Sequence, residues 1–161
     1  MPEQQATYMC LKCDASFGSK EPIRFCNKCG AQVKLVDGDL SQQVLLIDDS
    51  KLTRNKISAI LKNLGVRVIE AEDGPSGLLL LESTSIDLII LDIEMPRMSG
   101  IEVLQIIRMT DSGNAIPVVM LTGHADLNLV KQVIAAGAKD YVLKDQSVLE
   151  ITNRIKKYLR P

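Results

Sequence analysis

The sequence predicts an α/β protein, a doubly wound sandwich around a five-stranded parallel sheet, preceded by a small cysteine-containing segment. Short runs of consecutive apolar residues alternate with helical patterns through residues 43–161. Strands that are apolar on both faces are typical of a parallel sheet covered by helices on both sides. All four cysteines lie within the first 29 residues, and aromatic residues make up only 3% of the chain, so we expect an aliphatic core.

Five apolar runs are the predicted strands. Each is short and rich in Val, Ile and Leu, which favours a buried strand over a helix. They are Val44–Ile47, Val66–Ile69, Leu88–Leu91, Ile116–Leu121 and Tyr141–Leu143. Their strict alternation with helical patterns predicts right-handed crossovers between the strands.

Helical spacing of apolar residues marks five predicted helices. The first pattern ends at Gly65 and the fourth at Gly137, and glycine favours the conformation that ends a helix. Ser147 and Glu150 have capping-box spacing at the start of the last helix. The patterns are Ile57, Ile60, Leu61 and Leu64; residues 75–82; Ile101, Leu104 and Ile107; Val130, Val133 and Ile134; and Val148, Ile151, Ile155 and Leu159. One helix face cannot bury all of Leu78–Leu81, and Leu79 is expected to point outward.

The charge and hydropathy of the chain exclude several classes of protein. Lys and Arg number 19 against 20 Asp and Glu, and residues 1–40 hold five of each sign. This near balance argues against a strongly basic nucleic-acid binder. No apolar run is long enough to span a bilayer, and residues 1–7 lack the apolar region of a secretory signal. We therefore expect a cytoplasmic protein without a membrane partner.

Charged and hydroxyl side chains follow the predicted strands. Asp48 and Asp49 follow the first strand and Asp92 the third, while Thr122 and Lys144 follow the fourth and fifth. In an open parallel sheet, the carboxyl ends of the strands form the edge where ligands bind. Three carboxylates attract a cation, and a set of oxygen ligands favours Mg²⁺. Without a glycine-rich loop for nucleoside triphosphates, the set indicates a carboxylate nucleophile acting on an already activated phosphoryl group.

Residues 43–161 resemble a response-regulator receiver domain of two-component signalling. Four stretches carry the resemblance, 45–50, 87–100, 118–123 and 137–144, and they contain all the residues of the acidic edge. The resemblance implies the strand order 2-1-3-4-5. It also implies a phosphoacceptor switch rather than an enzyme, with slow autodephosphorylation, and a histidine kinase or phosphotransfer protein as partner.

The same resemblance implies a role for each site residue. Asp92 would be the phosphoacceptor, and Lys144 and Thr122 would contact the phosphoryl group. Tyr141 would be the switch aromatic that turns inward when Thr122 moves, although a plain packed aromatic is an equal alternative. The implied Mg²⁺ ligands are Asp48, Asp49, Asp92 and the backbone carbonyl of Glu94.

One position departs from the pattern of the family. Receiver domains usually have proline directly after the conserved lysine, in a cis peptide, and this chain has Asp145 after Lys144. A cis peptide before a non-proline residue costs about 2.5–4 kcal/mol. The loop therefore either keeps the cis form under strain or relaxes to trans, which affects the placement of Lys144.

The four cysteines form two C-x₂-C pairs. Cys10 and Cys13 make the first pair and Cys26 and Cys29 the second, with twelve residues between the pairs. Four thiolates make a closed tetrahedral shell for Zn²⁺, and the segment resembles a zinc ribbon. A segment of this length buries too little apolar surface to fold by itself. The metal would therefore supply the folding energy. Disulfides are disfavoured without a secretory signal, and iron in the same shell ranks below zinc.

These observations predict a zinc ribbon at 1–36, a linker at 37–42 and a receiver domain at 43–161. The predicted function is a phosphorylation-controlled switch whose surface binds an unidentified output protein or a second copy of the chain. One alternative is a nucleic-acid-binding regulator with the ribbon as reader and the receiver as its control. Another is a degenerate receiver that acts only as a scaffold. The balanced charge of the ribbon speaks against the former, and the intact acidic edge against the latter.

Overall fold

The N-terminal part of the protein forms a small antiparallel sheet. The structure, a computed structural model, describes residues 6–19, 23–36, 42–124 and 126–160. Three strands, β1 (Ala6–Cys10), β2 (Ser16–Ser19) and β3 (Val33–Val36), pair in the order β2-β1-β3. The predicted linker lies outside the described residues except for Gln42. That residue is buried, and its side-chain amide exchanges two hydrogen bonds with the backbone of Arg160 (2.9 and 3.1 Å), so it packs with the larger domain.

The larger part is a parallel five-stranded sheet, as predicted. Its strands are β4 (Gln43–Ile47), β5 (Arg67–Ala71), β6 (Leu88–Asp92), β7 (Val118–Thr122) and β8 (Asp140–Leu143). They lie in the order β5-β4-β6-β7-β8, and every neighbouring pair is parallel. Numbered within this sheet, the order is 2-1-3-4-5, which confirms the predicted topology.

Six helices accompany this sheet in the described part of the chain, one more than predicted. They are α1 (Lys51–Asn63), α2 (Gly74–Ser83), α3 (Gly100–Arg108), α4 (Asp111–Asn114), α5 (Leu127–Ala135) and α6 (Val148–Lys156). The additional helix, α4, is a single turn capped by the Thr110 side chain, and one turn is too short to show a periodic apolar pattern. The last helix ends before Leu159, which nevertheless packs against the core from the following turn.

The core consists of two apolar layers, one on each face of the sheet. Alternate residues of the three central strands point to opposite faces. One face carries Leu45, Ile47, Ile89, Leu91, Val118 and Met120; the other carries Val44, Leu46, Leu88, Ile90, Val119 and Leu121. Helices α2, α3 and α5 cover the first face, and α1 and α6 cover the second. This double cover makes the central strands apolar on both faces.

Two helix predictions have different outcomes. Leu79 points outward with 67% of its surface exposed, as expected. The assignment of Ile134 to a core stripe is wrong, because this side chain is 46% exposed while Val133 beside it is fully buried. The short α5 packs a narrower face than its apolar pattern indicated. Within the described ranges, no helix is both long and apolar enough to cross a membrane.

Candidate functional site

The carboxyl ends of four strands bring the predicted polar residues to one edge of the sheet. Asp48 follows β4, Asp92 and Thr122 are the last residues of β6 and β7, and Lys144 follows β8. Asp48, Asp92 and Thr122 are completely buried, whereas Asp49 is exposed. The edge therefore combines buried acidic groups with one acidic group that faces solvent.

The three carboxylates form a compact cluster. Asp48, Asp49 and Asp92 each place one oxygen within 4.8 Å of the others. The backbone N–H of Ser50 donates to Asp48 Oδ1 (2.8 Å), and that of Glu94 donates to Asp92 Oδ1 (3.2 Å). These bonds orient the two buried carboxylates from the loops that follow their strands. Three close oxygen donors fit a hard divalent cation such as Mg²⁺.

Lys144 neutralises part of this acidic cluster. Its Nζ lies 2.8 Å from Asp48 Oδ2 and 2.9 Å from Asp92 Oδ2. Burial lowers the pKa of Lys144, but the two carboxylates outweigh this effect and raise it, so the ammonium stays protonated. Burial raises the pKa of Asp92 to about 6, with Lys144 opposing the shift and Asp48 adding to it. One ammonium does not offset three carboxylates, which leaves the cluster short of positive charge.

Thr122 is held by the loop that follows its own strand. Its Oγ1 donates to the carbonyl oxygen of His124 (3.0 Å) and accepts from the backbone N–H of His124 (3.2 Å). The exposed His124 ring lies 3.5 Å from the exposed Glu94 carboxylate. The Glu94 side chain therefore points across the rim toward the loop after β7, and its predicted role through the backbone carbonyl stays a prediction.

Gly100 is a residue of this site that the sequence reasoning missed. A Cβ atom at this position would lie 1.9 Å from the backbone carbonyl oxygen of Asp92, so no side chain fits between α3 and the end of β6. The Gly100 N–H donates to the carbonyl of Ile93 (2.9 Å), and Ser99 with Glu102 forms a capping box at the same helix start. The sequence signal that could have identified Gly100 is its place directly after Ser99, in a capping box with Glu102, at the start of a helix.

The loop after β8 adopts the trans alternative. The described residues contain no cis peptide bond, and the Lys144–Asp145 bond is among them. Gln146 closes a turn by donating its backbone N–H to the Leu143 carbonyl (3.2 Å). The Nζ of Lys56 on α1 donates to the carbonyl oxygens of Lys144 (2.8 Å) and Gln146 (3.3 Å). Lys56 has no place among the residues predicted from the sequence.

Tyr141 is half-buried on β8, at the margin of the core layer covered by α2, α3 and α5. The guanidinium of Arg154 lies 5.5 Å from the centre of its ring, a cation–π distance. Arg154 also pairs with Asp140 at 2.9 Å, and the Tyr158 hydroxyl donates to the same carboxylate (3.0 Å). These contacts are those of a packed aromatic, and the switch role of Tyr141 stays a prediction.

The four cysteines converge at one end of the small sheet. One Sγ from each lies within 4.8 Å of the others, with 3.4 Å between Cys10 and Cys29 and 3.7 Å between Cys13 and Cys26. A disulfide needs about 2.05 Å. A tetrahedron with metal–sulfur bonds of about 2.3 Å has sulfurs about 3.8 Å apart. The spacing is therefore too long for disulfides and close to that of a tetrahedral shell of sulfurs.

The two cysteine pairs have matching backbone turns. The N–H of Cys10 donates to the carbonyl of Ala15 (2.9 Å), and that of Cys26 donates to the carbonyl of Ala31 (2.7 Å). In each turn a backbone N–H also donates to the first sulfur at 3.4 Å. The residue after each pair has a positive φ, 53° at Asp14 and 72° at Gly30. Equivalent turns present two sulfurs each to a common centre.

Burial raises the pKa of the Cys10 thiol, but backbone N–H groups of Cys13 and Lys12 outweigh burial and bring it down to about 6. The backbone hydrogen bond of Ala31 lowers the pKa of Cys29, while the neighbouring sulfurs raise it to about 12. Four close thiolates repel one another, and a bound cation relieves that repulsion.

Comparison with known proteins identifies the larger domain. The sequence model of the response regulator receiver domain matches residues 44–156. The chain therefore belongs to this family. Receiver domains are phosphoacceptor switches rather than classical enzymes, and they interact with histidine kinases or phosphotransfer proteins. The predictions that the chain contains a receiver domain and that it belongs to two-component signalling are confirmed. The matched residues do not include the four cysteines.

Individual relatives agree with this assignment. The chemotaxis protein CheY of Pseudomonas aeruginosa is 31% identical over 116 residues, 71% of this chain and 94% of that protein. Regulatory protein VanRc of Enterococcus gallinarum is 35% identical over 122 residues, 75% of this chain. Among solved structures, the receiver domain of the sensor histidine kinase PA1611 from Pseudomonas aeruginosa has a magnesium ion coordinated in its active site cleft. It aligns with a TM-score of 0.67 and 27% identity, covering 73% of this chain and 96% of that one.

Several relatives are longer than the segment they share with this chain. The match covers 51% of VanRc, 48% of the probable transcriptional regulator ycf27 of Guillardia theta and 14% of the gliding motility regulatory protein of Myxococcus xanthus. The shared segment is the receiver domain, and the remaining parts of those proteins have no counterpart in the match.

Proposed function

We propose that this protein is a phosphorylation-controlled switch in which Asp92 accepts a phosphoryl group from a histidine kinase or phosphotransfer protein. The observation that carries the proposal is the position of Asp92, buried at the end of β6 and joined to Asp48 through the Lys144 ammonium, which contacts both carboxylates. A buried carboxylate with an adjacent cation is suited to in-line attack on an activated phosphoryl group.

Asp48, Asp49 and Asp92 would hold Mg²⁺, with the backbone carbonyl of Glu94 as a further ligand. Their oxygen donors lie close enough for one ion, and the receiver domain of PA1611 binds magnesium in its cleft. When bound, the ion neutralises charge on the transferring phosphoryl oxygens. A structural relative with this ion and an acidic cluster short of positive charge both support the assignment.

The residues of the chain would carry out the remaining steps. An oxygen of Asp92 attacks phosphorus, a phosphorus–oxygen bond forms, and the phosphorus–nitrogen bond to the donor histidine breaks. Lys144, now paired with Asp48 and Asp92, would transfer one of its contacts to a phosphoryl oxygen. Thr122 would give up its bond to the loop carbonyl and donate to another phosphoryl oxygen. Movement of this loop, with Tyr141 following, would alter the surface that binds the output partner.

The test of this function is phosphorylation by a small donor. The protein is incubated with acetyl phosphate, with and without Mg²⁺, and its intact mass is measured. The expected result is one phosphoryl group per chain, dependent on Mg²⁺, followed by slow loss through autodephosphorylation. Full uptake in the presence of EDTA would contradict the metal assignment, and no uptake in any condition would contradict the phosphoacceptor role.

Lys144→Ala is expected to separate signalling from stability. The side chain is 24% exposed at a loop, and its removal leaves room for water or a metal ion beside the carboxylates. We expect a melting temperature near that of the wild type, and no phosphorylation-dependent change in the hydrogen-exchange protection of the loop after β7. A variant that melts far below the wild type but retains the protection change would contradict this role.

We propose that the N-terminal segment is a zinc ribbon with Cys10, Cys13, Cys26 and Cys29 as ligands. The separations of the sulfurs and the two matching turns support a tetrahedral shell. The backbone N–H groups that donate to sulfur stabilise thiolates and set their orientation. The role of the metal would be structural, because four cysteine ligands leave no open coordination position.

The ribbon would dock protein, either an output partner or a second copy of this chain. Leu11 and Phe25 on its surface are 64% and 62% exposed, and such apolar side chains favour a protein partner. Lys12, Arg24 and Lys28 are also exposed, but residues 1–40 hold as many acidic as basic groups. Nucleic-acid affinity depends on a surplus of basic groups, which this segment lacks. The cytoplasmic location stays a prediction.

Titration with DNA and RNA at several salt concentrations tests the docking role. We expect weak binding with little salt dependence, alongside a change in hydrodynamic size or partner capture when a phosphodonor is present. Replacement of Leu11 and Phe25 by serine should remove that change, and replacement of Lys12 and Lys28 by alanine should not. Tight nucleic-acid binding with a steep salt dependence that is lost on changing the two lysines would favour the reader alternative.

A further inference from the structure

The turn that carries Lys144 is bound to the rest of the domain on several sides. The backbone N–H of Lys144 donates to the Thr122 carbonyl (2.9 Å), which continues the pairing of β7 and β8. The turn itself is closed twice, because the backbone N–H of Gln146 donates to Leu143 and the side-chain oxygen of Gln146 accepts from the Leu143 N–H (both 3.2 Å). Asp145, inside this turn, is exposed.

Lys56 supplies the remaining contact, from the other side of the site. It lies in the middle of α1, partly buried, and its Nζ reaches the carbonyl oxygens of Lys144 and Gln146. A charged donor makes a stronger hydrogen bond than a neutral one. The two carbonyls lie on either side of Asp145, the position where a proline ring would otherwise restrict the backbone. Lys56 thus binds the turn on both sides of Asp145, where this chain has no proline ring to restrict the backbone.

We propose that Lys56 is a positioning residue that holds the trans turn and thereby aims the Lys144 ammonium at Asp92. This inference rests on the proposed phosphoacceptor role of Asp92. With the carbonyl of Lys144 bound to α1, its backbone cannot rotate freely, and its side chain extends toward the two buried carboxylates. The same helix is capped by Ser50, whose N–H donates to Asp48, so the start of α1 supports the other member of the Lys144–Asp48 pair.

Lys56→Met is the variant that tests this proposal. Methionine keeps most of the length and the apolar stem of lysine but donates no hydrogen bond. We expect the rate of phosphorylation by acetyl phosphate to fall about tenfold, since small misplacement of a catalytic group is costly. Lys56→Arg keeps a charged donor and should restore most of the rate. Mg²⁺ affinity should stay within about twofold of wild type, because no Mg²⁺ ligand contacts Lys56 in the proposed site.

Lys62→Met is the matched control on the same helix. It removes one positive charge from α1 as well, but Lys62 pairs with Asp14 (3.0 Å) and not with the turn. Its phosphorylation rate should equal that of the wild type. Equal losses in the two methionine variants would assign the effect to net charge and overturn the proposal. Melting temperatures of both variants are measured to identify any loss that reflects unfolding.

A double-mutant cycle with Lys144→Met separates positioning from a direct effect. If Lys56 acts only through Lys144, then Lys56→Met should change the rate little when Lys144 is already methionine. An undiminished tenfold loss in that background would show that Lys56 acts by another route.

The two proposals fail in different ways. Absence of phosphorylation in the wild type would reject the proposed function itself. If the wild type and Lys56→Met are phosphorylated at the same rate, only the role of Lys56 is rejected.

Discussion

Replacing Asp92 by asparagine is expected to abolish phosphorylation from acetyl phosphate. The amide has nearly the same shape as the carboxylate, but it is a poor nucleophile and carries no charge for Lys144 to balance. Because Asp92 is fully buried, removal of its charge also relieves electrostatic repulsion with Asp48, so the fold should be retained. Intact mass before and after incubation measures the effect, and we expect the signal to fall to background.

Asp145→Asn is the control for Asp92→Asn. Asp145 lies on the same rim directly after Lys144, but it is exposed and outside the acidic cluster. The Asp145→Asn variant should be phosphorylated on Asp92 at the wild-type rate and in the same Mg²⁺-dependent manner. Equal uptake by Asp92→Asn and the wild type would show that another residue accepts the phosphoryl group.

Chelation of the proposed zinc ion is expected to unfold the N-terminal segment and leave the receiver domain folded. The N-terminal segment has few buried side chains, Tyr8, Cys10 and Cys26 among its described residues, so little besides the metal would stabilise it. The receiver has its own two-layer core. Elemental analysis should find one Zn²⁺ per chain. After chelation, hydrogen exchange should become fast in residues 6–36 and stay slow in the central strands of the receiver.

Two variants sharpen this experiment. Cys26→Ser removes a buried ligand and should lose the metal and protection together, whereas Asn27→Ala, at an exposed position between two ligands, should keep both. The ion pair between Asp14 and Lys62 links the ribbon to α1, but both side chains are partly or largely exposed, and such pairs contribute about 0–1 kcal/mol. The melting temperature of the receiver should therefore hardly change. Cooperative loss of the whole protein on chelation would contradict two independent domains.

The sequence alone predicted the larger domain well because its signals are local. A run such as Leu88–Leu91 is apolar on both faces, and such a pattern is typical of a strand covered by helices on both sides. Once the strands are ordered, the residues after them must share one edge. The meeting of Asp48, Asp92 and Lys144 therefore followed from strand ends and from the resemblance. The spacing of the cysteine pairs likewise predicted that their sulfurs meet, although the identity of a metal is not contained in that distance.

The elements that were missed are those with weak local signals. The helix α4 is one turn and shows no period, and Ile134 belongs to an apolar stripe whose packed face is narrower than the stripe. Gly100 looks like any helix-start glycine until α3 is packed against the carbonyl of Asp92. For Gly100 the deciding contact is with a neighbour from another segment, the backbone of Asp92.

Sequence patterning by itself determined the class of fold and the set of polar residues at the strand ends, and the resemblance to receiver domains supplied the order of the strands. Tertiary structure alone decided how the edge is supported. The contact between Lys56 and the Lys144 carbonyl joins residues 88 positions apart, and the bonds of Gln42 to Arg160 join residues 118 positions apart. Neither pair has a periodic signature, because a side chain that reaches a distant backbone carbonyl depends on how two elements pack. Periodicity records which face of an element is buried, and only packing determines what that face meets.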